Sequence, residues 1–93
     1  MRVYLFMVYT VYILKSGSDK RLYIGQTQDL ESRLVFHNTG RSIYTKGRGP
    51  WKLFSSKEFP SRSEAIKVER KLKNLKSKEV LLDYINKNGF SMY

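Results

Sequence analysis

Two tyrosines, an arginine, a histidine and a glutamate are the residues whose types and spacing could do chemistry in this chain. Tyr12 and Tyr23 stand eleven residues apart, in two β-rich runs at 8–15 and 21–25 that flank the turn-forming Ser16-Gly17-Ser18-Asp19. If Lys15 and Lys20 close that turn as a pair, Tyr12 lies directly opposite Tyr23 and both rings share one face. A register shifted by one would separate them. A helix follows Gly25, with Thr27 or Asp29 as its N-cap, and places Arg33 and His37 one turn apart. Two phenols, a guanidinium and the only histidine then lie within reach of one another. Such groups bind anions and move protons.

Glu69 sits in a second helix. Ala65, Val68, Leu72 and Leu75 recur there at helical spacing, with Ile66 widening the stripe, and Glu69 falls inside this apolar arc. Lys67, Arg70 and Lys71 take the opposite side. A carboxylate on the core side is costly unless a cation or hydrogen bonds compensate it. Glu69 is therefore either paired with a neighbouring Lys or Arg at the rim, or it is a metal ligand or catalytic carboxylate.

The elements that must position these groups are legible. The stretch 1–14 mimics a signal peptide, with Arg2 ahead of an apolar run. It is too short to span a bilayer, has no small-residue cleavage site, and is rich in Tyr and Val, as a buried central strand should be. Asn38-Thr39-Gly40 stops the first helix, with Gly40 a candidate C-cap. A glycine-rich basic loop at 41–50 follows, with a short turn around Ile43, Tyr44 and Thr45. Trp51–Phe59 alternates as a third strand, with Trp51, Leu53 and Phe54 as its apolar positions, and Pro60 ends it. Ser61-Arg62-Ser63-Glu64 fits a capping box for a helix running to about residue 75. A third helix spans about 77–87, with Val80, Leu81, Tyr84 and Ile85 inward, and Asn88-Gly89 ends it. The last few residues are expected to be loose. The order ββαβαα gives an α+β fold, a small three-stranded antiparallel sheet flanked by helices, in one domain over 1–93.

Eighteen Lys and Arg against eight Asp and Glu give a formal charge of +10. Residues 41–57 hold five basic side chains and no acid, and 67–78 hold six with only Glu69. Charge at this density predicts a polyanionic partner, most simply a phosphate backbone. Candidate contacts are Lys15, Arg41, Lys46, Arg48 and Lys52. No helix pairs a basic face with a broad exposed aromatic face, so a membrane partner is not expected. Without cysteine there is no disulfide or thiolate-bound metal, which suits a reducing, cytoplasmic setting.

Thr10-Val11-Tyr12-Ile13-Leu14-Lys15 and Leu22-Tyr23-Ile24-Gly25 resemble the two halves of the GIY-YIG nuclease signature. Arg33, His37 and Glu69 follow in that family's order. The short stand-alone bacterial members share further pieces, here Tyr23-Ile24-Gly25-Gln26-Thr27, His37-Asn38, Gly49-Pro50-Trp51 and Glu69-Arg70-Lys71-Leu72-Lys73. The resemblance runs from about residue 8 to 85. It departs at Thr10-Val11, where the family name puts Gly-Ile, and Asn74 and Asn86 are both weak matches for a late asparagine that some relatives use.

The resemblance implies a metal-dependent phosphodiesterase. One divalent cation, Mg²⁺ with Mn²⁺ as a substitute, would bind Glu69 and stabilise the leaving oxygen. Tyr12 would be the general base, its phenol activated by Arg33 and the metal. Arg33 would hold the scissile phosphate, Tyr23 would hydrogen-bond the phosphate or the water, and His37 would position a group or relay a proton. Gly25 would let backbone and substrate approach closely. The expected activity is a structure-selective or weakly specific DNA endonuclease, with RNA open as a substrate and repair or recombination as a setting. No small-molecule cofactor is expected, and the chain is expected to be a monomer or weak dimer. The alternative is a nucleic-acid-binding module whose site is idle.

Overall fold

Among the described residues, four strands and three helices follow in the order β1 (Tyr9–Ser16), β2 (Leu22–Thr27), α1 (Leu30–Asn38), β3 (Trp51–Phe59), α2 (Arg62–Lys73), α3 (Lys78–Lys87) and β4 (Ser91–Met92). The computed structural model describes residues 8–93, so the part of the expected first strand at 1–7 lies outside the described residues. All strand pairs are antiparallel, in the order β2-β1-β3-β4. No helix among the described residues is long and apolar enough to cross a membrane.

β1 is central, and Val11, Tyr12, Ile13 and Leu14 are all buried. Four consecutive buried residues require cover on both faces of the sheet. Val11 and Ile13 pack with Ala65 and Leu72 of α2, Leu81 and Ile85 of α3, and Phe90. Tyr12 and Leu14 point the other way, onto Trp51, Leu53, Tyr23 and the α1 residues Leu30 and Leu34. Each fully buried aliphatic side chain contributes about 1.5–3 kcal/mol.

The helices start where side-chain oxygens take up free backbone N–H groups. Asp29, rather than Thr27, caps α1 by accepting from Ser32 N, and Ser61 and Ser77 cap α2 and α3 in the same way. Ser61 Oγ accepts from Glu64 N and also donates to Glu64 Oε2, so the expected capping pair bonds through the serine hydroxyl. Thr39 ends α1, with Gly40 beyond it at φ 76°, a conformation glycine adopts without strain.

Three expectations are corrected. Among the described residues the sheet has four strands, not three. Ser91 and Met92 pair with Ser56 and Ser55, Tyr93 N donates to Phe54 O, and the burial of Phe90 anchors this tail. The β1–β2 turn closes on Ser16 and Arg21, so Tyr12 lies opposite Gly25, and Tyr23 opposite Leu14. Val80 is exposed, because Leu81 and Ile85 form the inner edge of α3.

Candidate active site

The register that puts Tyr12 opposite Gly25 shapes the site. The Tyr12 ring lies across Gly25, where a Cβ would meet its Oη at 2.6 Å. Only glycine leaves room for the phenol to cross the neighbouring strand. A slip of two residues from the expected register keeps both tyrosines on one face. Their ring centroids are 6.3 Å apart, and Tyr23 sits 4.6 Å from the His37 ring.

α1 delivers His37. Leu30, Leu34 and His37 form its inward stripe, and His37 is buried. Its Nε2 is 3.0 Å from Tyr12 Oη, and its Nδ1 is 2.9 Å from Thr45 Oγ1. Thr45 is also buried, and its carbonyl accepts from Trp51 Nε1 at 3.0 Å. Asn38 closes the same loop on the backbone of Trp51, donating from Nδ2 to its carbonyl and accepting its N–H at 2.6 Å. The 41–50 loop is thus fastened to the end of α1 and to the start of β3.

Burial is the main reason why the Tyr12 phenol is held well above the usual phenol range, and the neighbouring Tyr23 adds to it. Arg33 pulls the value down, while Glu69 pushes it up, and the guanidinium is outweighed. His37 is lowered, first by burial and then by Arg33, so its ring is neutral near pH 7. A neutral imidazole donates through one nitrogen and accepts through the other. Both the Tyr12 and the Thr45 hydroxyls can satisfy either tautomer. Arg33 itself is exposed and stacks over Phe36, 4.7 Å from the ring centroid.

Glu69 is half-buried on α2 and bonds Lys73 Nζ at 2.9 Å. Among the described residues no cluster of three or more metal-ligating side chains exists. A hard cation such as Mg²⁺ is commonly held by one or two carboxylates, with water and substrate phosphates completing its shell. Glu69 fits that kind of site. Lys73 must then share the carboxylate or yield it.

The candidate nucleic-acid contacts separate. Arg48 lines a groove with Arg21, Tyr23, Tyr44, Trp51 and Lys73, beside the tyrosine site. Arg41 lines a depression along α1 with Arg33 and Phe36, and Lys46 is exposed on the loop. Lys15 and Lys52 are cross-strand partners on the opposite face, where Lys15 Nζ lies over the Phe54 ring. Thr45 and Asn38 escaped sequence reasoning as parts of the site. Asn38 had a signal in its position next to His37, whereas a threonine in a basic loop has none.

A family model described as the GIY-YIG catalytic domain matches residues 8–82, which include every residue of this site. The chain belongs to the GIY-YIG catalytic domain family. This family is a nuclease family, and the match spans the β1 and β2 segments that hold Tyr12 and Tyr23 here. A UPF0213 protein of Oceanobacillus iheyensis is 46% identical over 66 residues, which cover 70% of this chain and 76% of that relative. Another UPF0213 protein, of Streptococcus agalactiae, is 40% identical over 79 residues, covering 84% of this chain and 88% of that relative. Among solved structures, the solution NMR structure of a UPF0213 protein from Bacillus halodurans matches with a TM-score of 0.56 and 36% identity. It covers 89% of this chain and 87% of that one. The GIY-YIG assignment therefore comes with a small-domain family of similar extent.

Proposed function

We propose that this chain is a metal-dependent DNA endonuclease, structure-selective or weakly specific, of a kind suited to repair or recombination. The observation that carries this reading is the hydrogen-bonded row Tyr12–His37–Thr45 beside Arg33. Burial opposes a free phenolate at Tyr12. A relay avoids one: Tyr12 takes a proton from the attacking water while passing its own to His37 Nε2. For this, Nδ1–H donates to Thr45 Oγ1, which leaves Nε2 as the acceptor. Arg33 is exposed and meets the scissile phosphate, and the Tyr23 phenol donates to a phosphate oxygen or the water. Glu69 would hold the divalent cation, Mg²⁺ or Mn²⁺, which supplies positive charge for the phosphate and the leaving 3′-oxygen.

One observation favours the idle binding module instead: Glu69 is already ion-paired with Lys73. Cleavage of labelled single-stranded, duplex, flap and branched DNA, with RNA alongside, decides between the two. The nuclease reading expects metal-dependent cutting that falls by at least about 10²-fold in both Tyr12→Phe and Glu69→Gln. Salt-sensitive binding without cutting on any substrate would establish the idle module.

A further inference from the structure

The Arg48 groove does not end at Tyr23. A second groove shares its Arg21, Leu22, Tyr23 and Lys73, and continues past Lys20 to Lys76 and Lys78 at the α2–α3 junction. The joined surface follows β2, which is an edge strand of the sheet. Six cations line it, and no acidic side chain does. Arg21 and Lys73 are paired with Asp19 and Glu69. None of the three ion pairs among the described residues involves Lys20, Arg48, Lys76 or Lys78.

We infer that this edge groove is the track of a single nucleic-acid strand leading into the site, an inference that rests on the nuclease reading for its direction. Clustered like charges raise the free energy of the fold by mutual repulsion, and a row of phosphates is the partner that relieves it. The row passes Tyr23, whose ring lies 4.6 Å from that of His37 and 6.3 Å from that of Tyr12, so a backbone lying along it runs beside the Tyr12–His37 pair. Aromatic rings lie among the cations at the Arg48 end, where Tyr44 is exposed, Tyr23 half-buried and Trp51 buried behind the wall. Tyr44 is 72% exposed, yet its neighbour Thr45 is fixed on His37, so its ring is presented from an anchored backbone. A basic groove with aromatic faces suits unpaired bases, which stack on such rings without regard to sequence. A duplex keeps its bases stacked internally and gains nothing from Tyr44.

Fluorescence anisotropy of a labelled single-stranded oligonucleotide, in EDTA and across 50–200 mM salt, tests the track apart from catalysis. A triple variant, Arg48→Gln with Lys76→Gln and Lys78→Gln, should lower the slope of log affinity against log salt by about 2, at roughly 0.7 for each phosphate that is no longer neutralised. Tyr44→Ala should weaken single-strand binding by about tenfold with its salt slope unchanged, and leave duplex binding unaltered. A double variant of Lys67→Gln and Lys71→Gln, outside the groove, should keep the wild-type slope. An equal loss of slope in both charge variants would mean diffuse attraction and overturn the track. So would single-strand binding that ignores Tyr44→Ala. A chain that shows the expected pattern but cuts nothing keeps the track and loses the nuclease. A chain that cuts without depending on these residues keeps the nuclease and loses the track.

Discussion

His37 is held from both sides, with Tyr12 Oη 3.0 Å from its Nε2 and Thr45 Oγ1 2.9 Å from its Nδ1. All three side chains are buried, so neither hydrogen bond has bulk water to replace it. His37 and the basic loop are therefore one structural unit: what moves Thr45 moves His37.

Thr45→Val tests this coupling. It keeps the volume but leaves Nδ1 without a partner, so stability in urea should fall by about 1–3 kcal/mol. Turnover should also fall, by up to about 10²-fold, the lower end of general acid–base contributions, because nothing then orients the imidazole toward Tyr12. Wild-type turnover in a folded Thr45→Val protein would show that the hydroxyl only fills space.

Stability should fall at both ends of the pH scale, for opposite reasons. The folded state depresses the affinity of His37 for a proton, whereas the unfolded chain takes one up around the ordinary value of 6.5. The unfolded state then binds more protons, so this stabilising term is present above pH 6.5 and is lost as pH drops through the folded value. Tyr12 runs the other way, because the folded state keeps a phenol proton that the unfolded chain releases around 10.0. Its contribution is present below pH 10 and is lost as pH rises beyond it. Urea midpoints measured from pH 5 to 10.5 should trace this dome. His37→Gln should flatten the acid limb, and Tyr12→Phe the alkaline one.

Gly25→Ala should damage the site more than its single added methyl suggests. The new Cβ would stand 2.6 Å from Tyr12 Oη and 2.7 Å from its ring, so the phenol must move away from His37. Overpacking of this kind costs about 1–3 kcal/mol. Cleavage should drop to the level of Tyr12→Phe, while single-strand affinity, carried by the β2 edge, should change little. Retained cleavage would show that Tyr12 can act from another position.

By itself the sequence determined the elements and the faces. Trp51–Phe59 was readable as a strand from its alternation, and the capping box at Ser61 and Glu64 from four residues. Tyr12 and Tyr23 share one face in the register that the Lys15–Lys20 closure predicts, and they still share it in the structure because a strand period of two survives a slip of two. That period says nothing about which residue lies opposite which, so the pairing of Tyr12 with Gly25 was decided only by the fold. Glu69 was legible as a carboxylate on the apolar side of its helix, and both its fates, pairing or ligation, were visible from there. The structure pairs it with Lys73. β4 is two residues long and carries no pattern of its own, so its place follows from the burial of Phe90 nearby. Thr45 and the joined groove along β2 were hidden for the same reason. They depend on contacts between segments far apart in the chain, and local propensity and periodicity carry no information about such contacts.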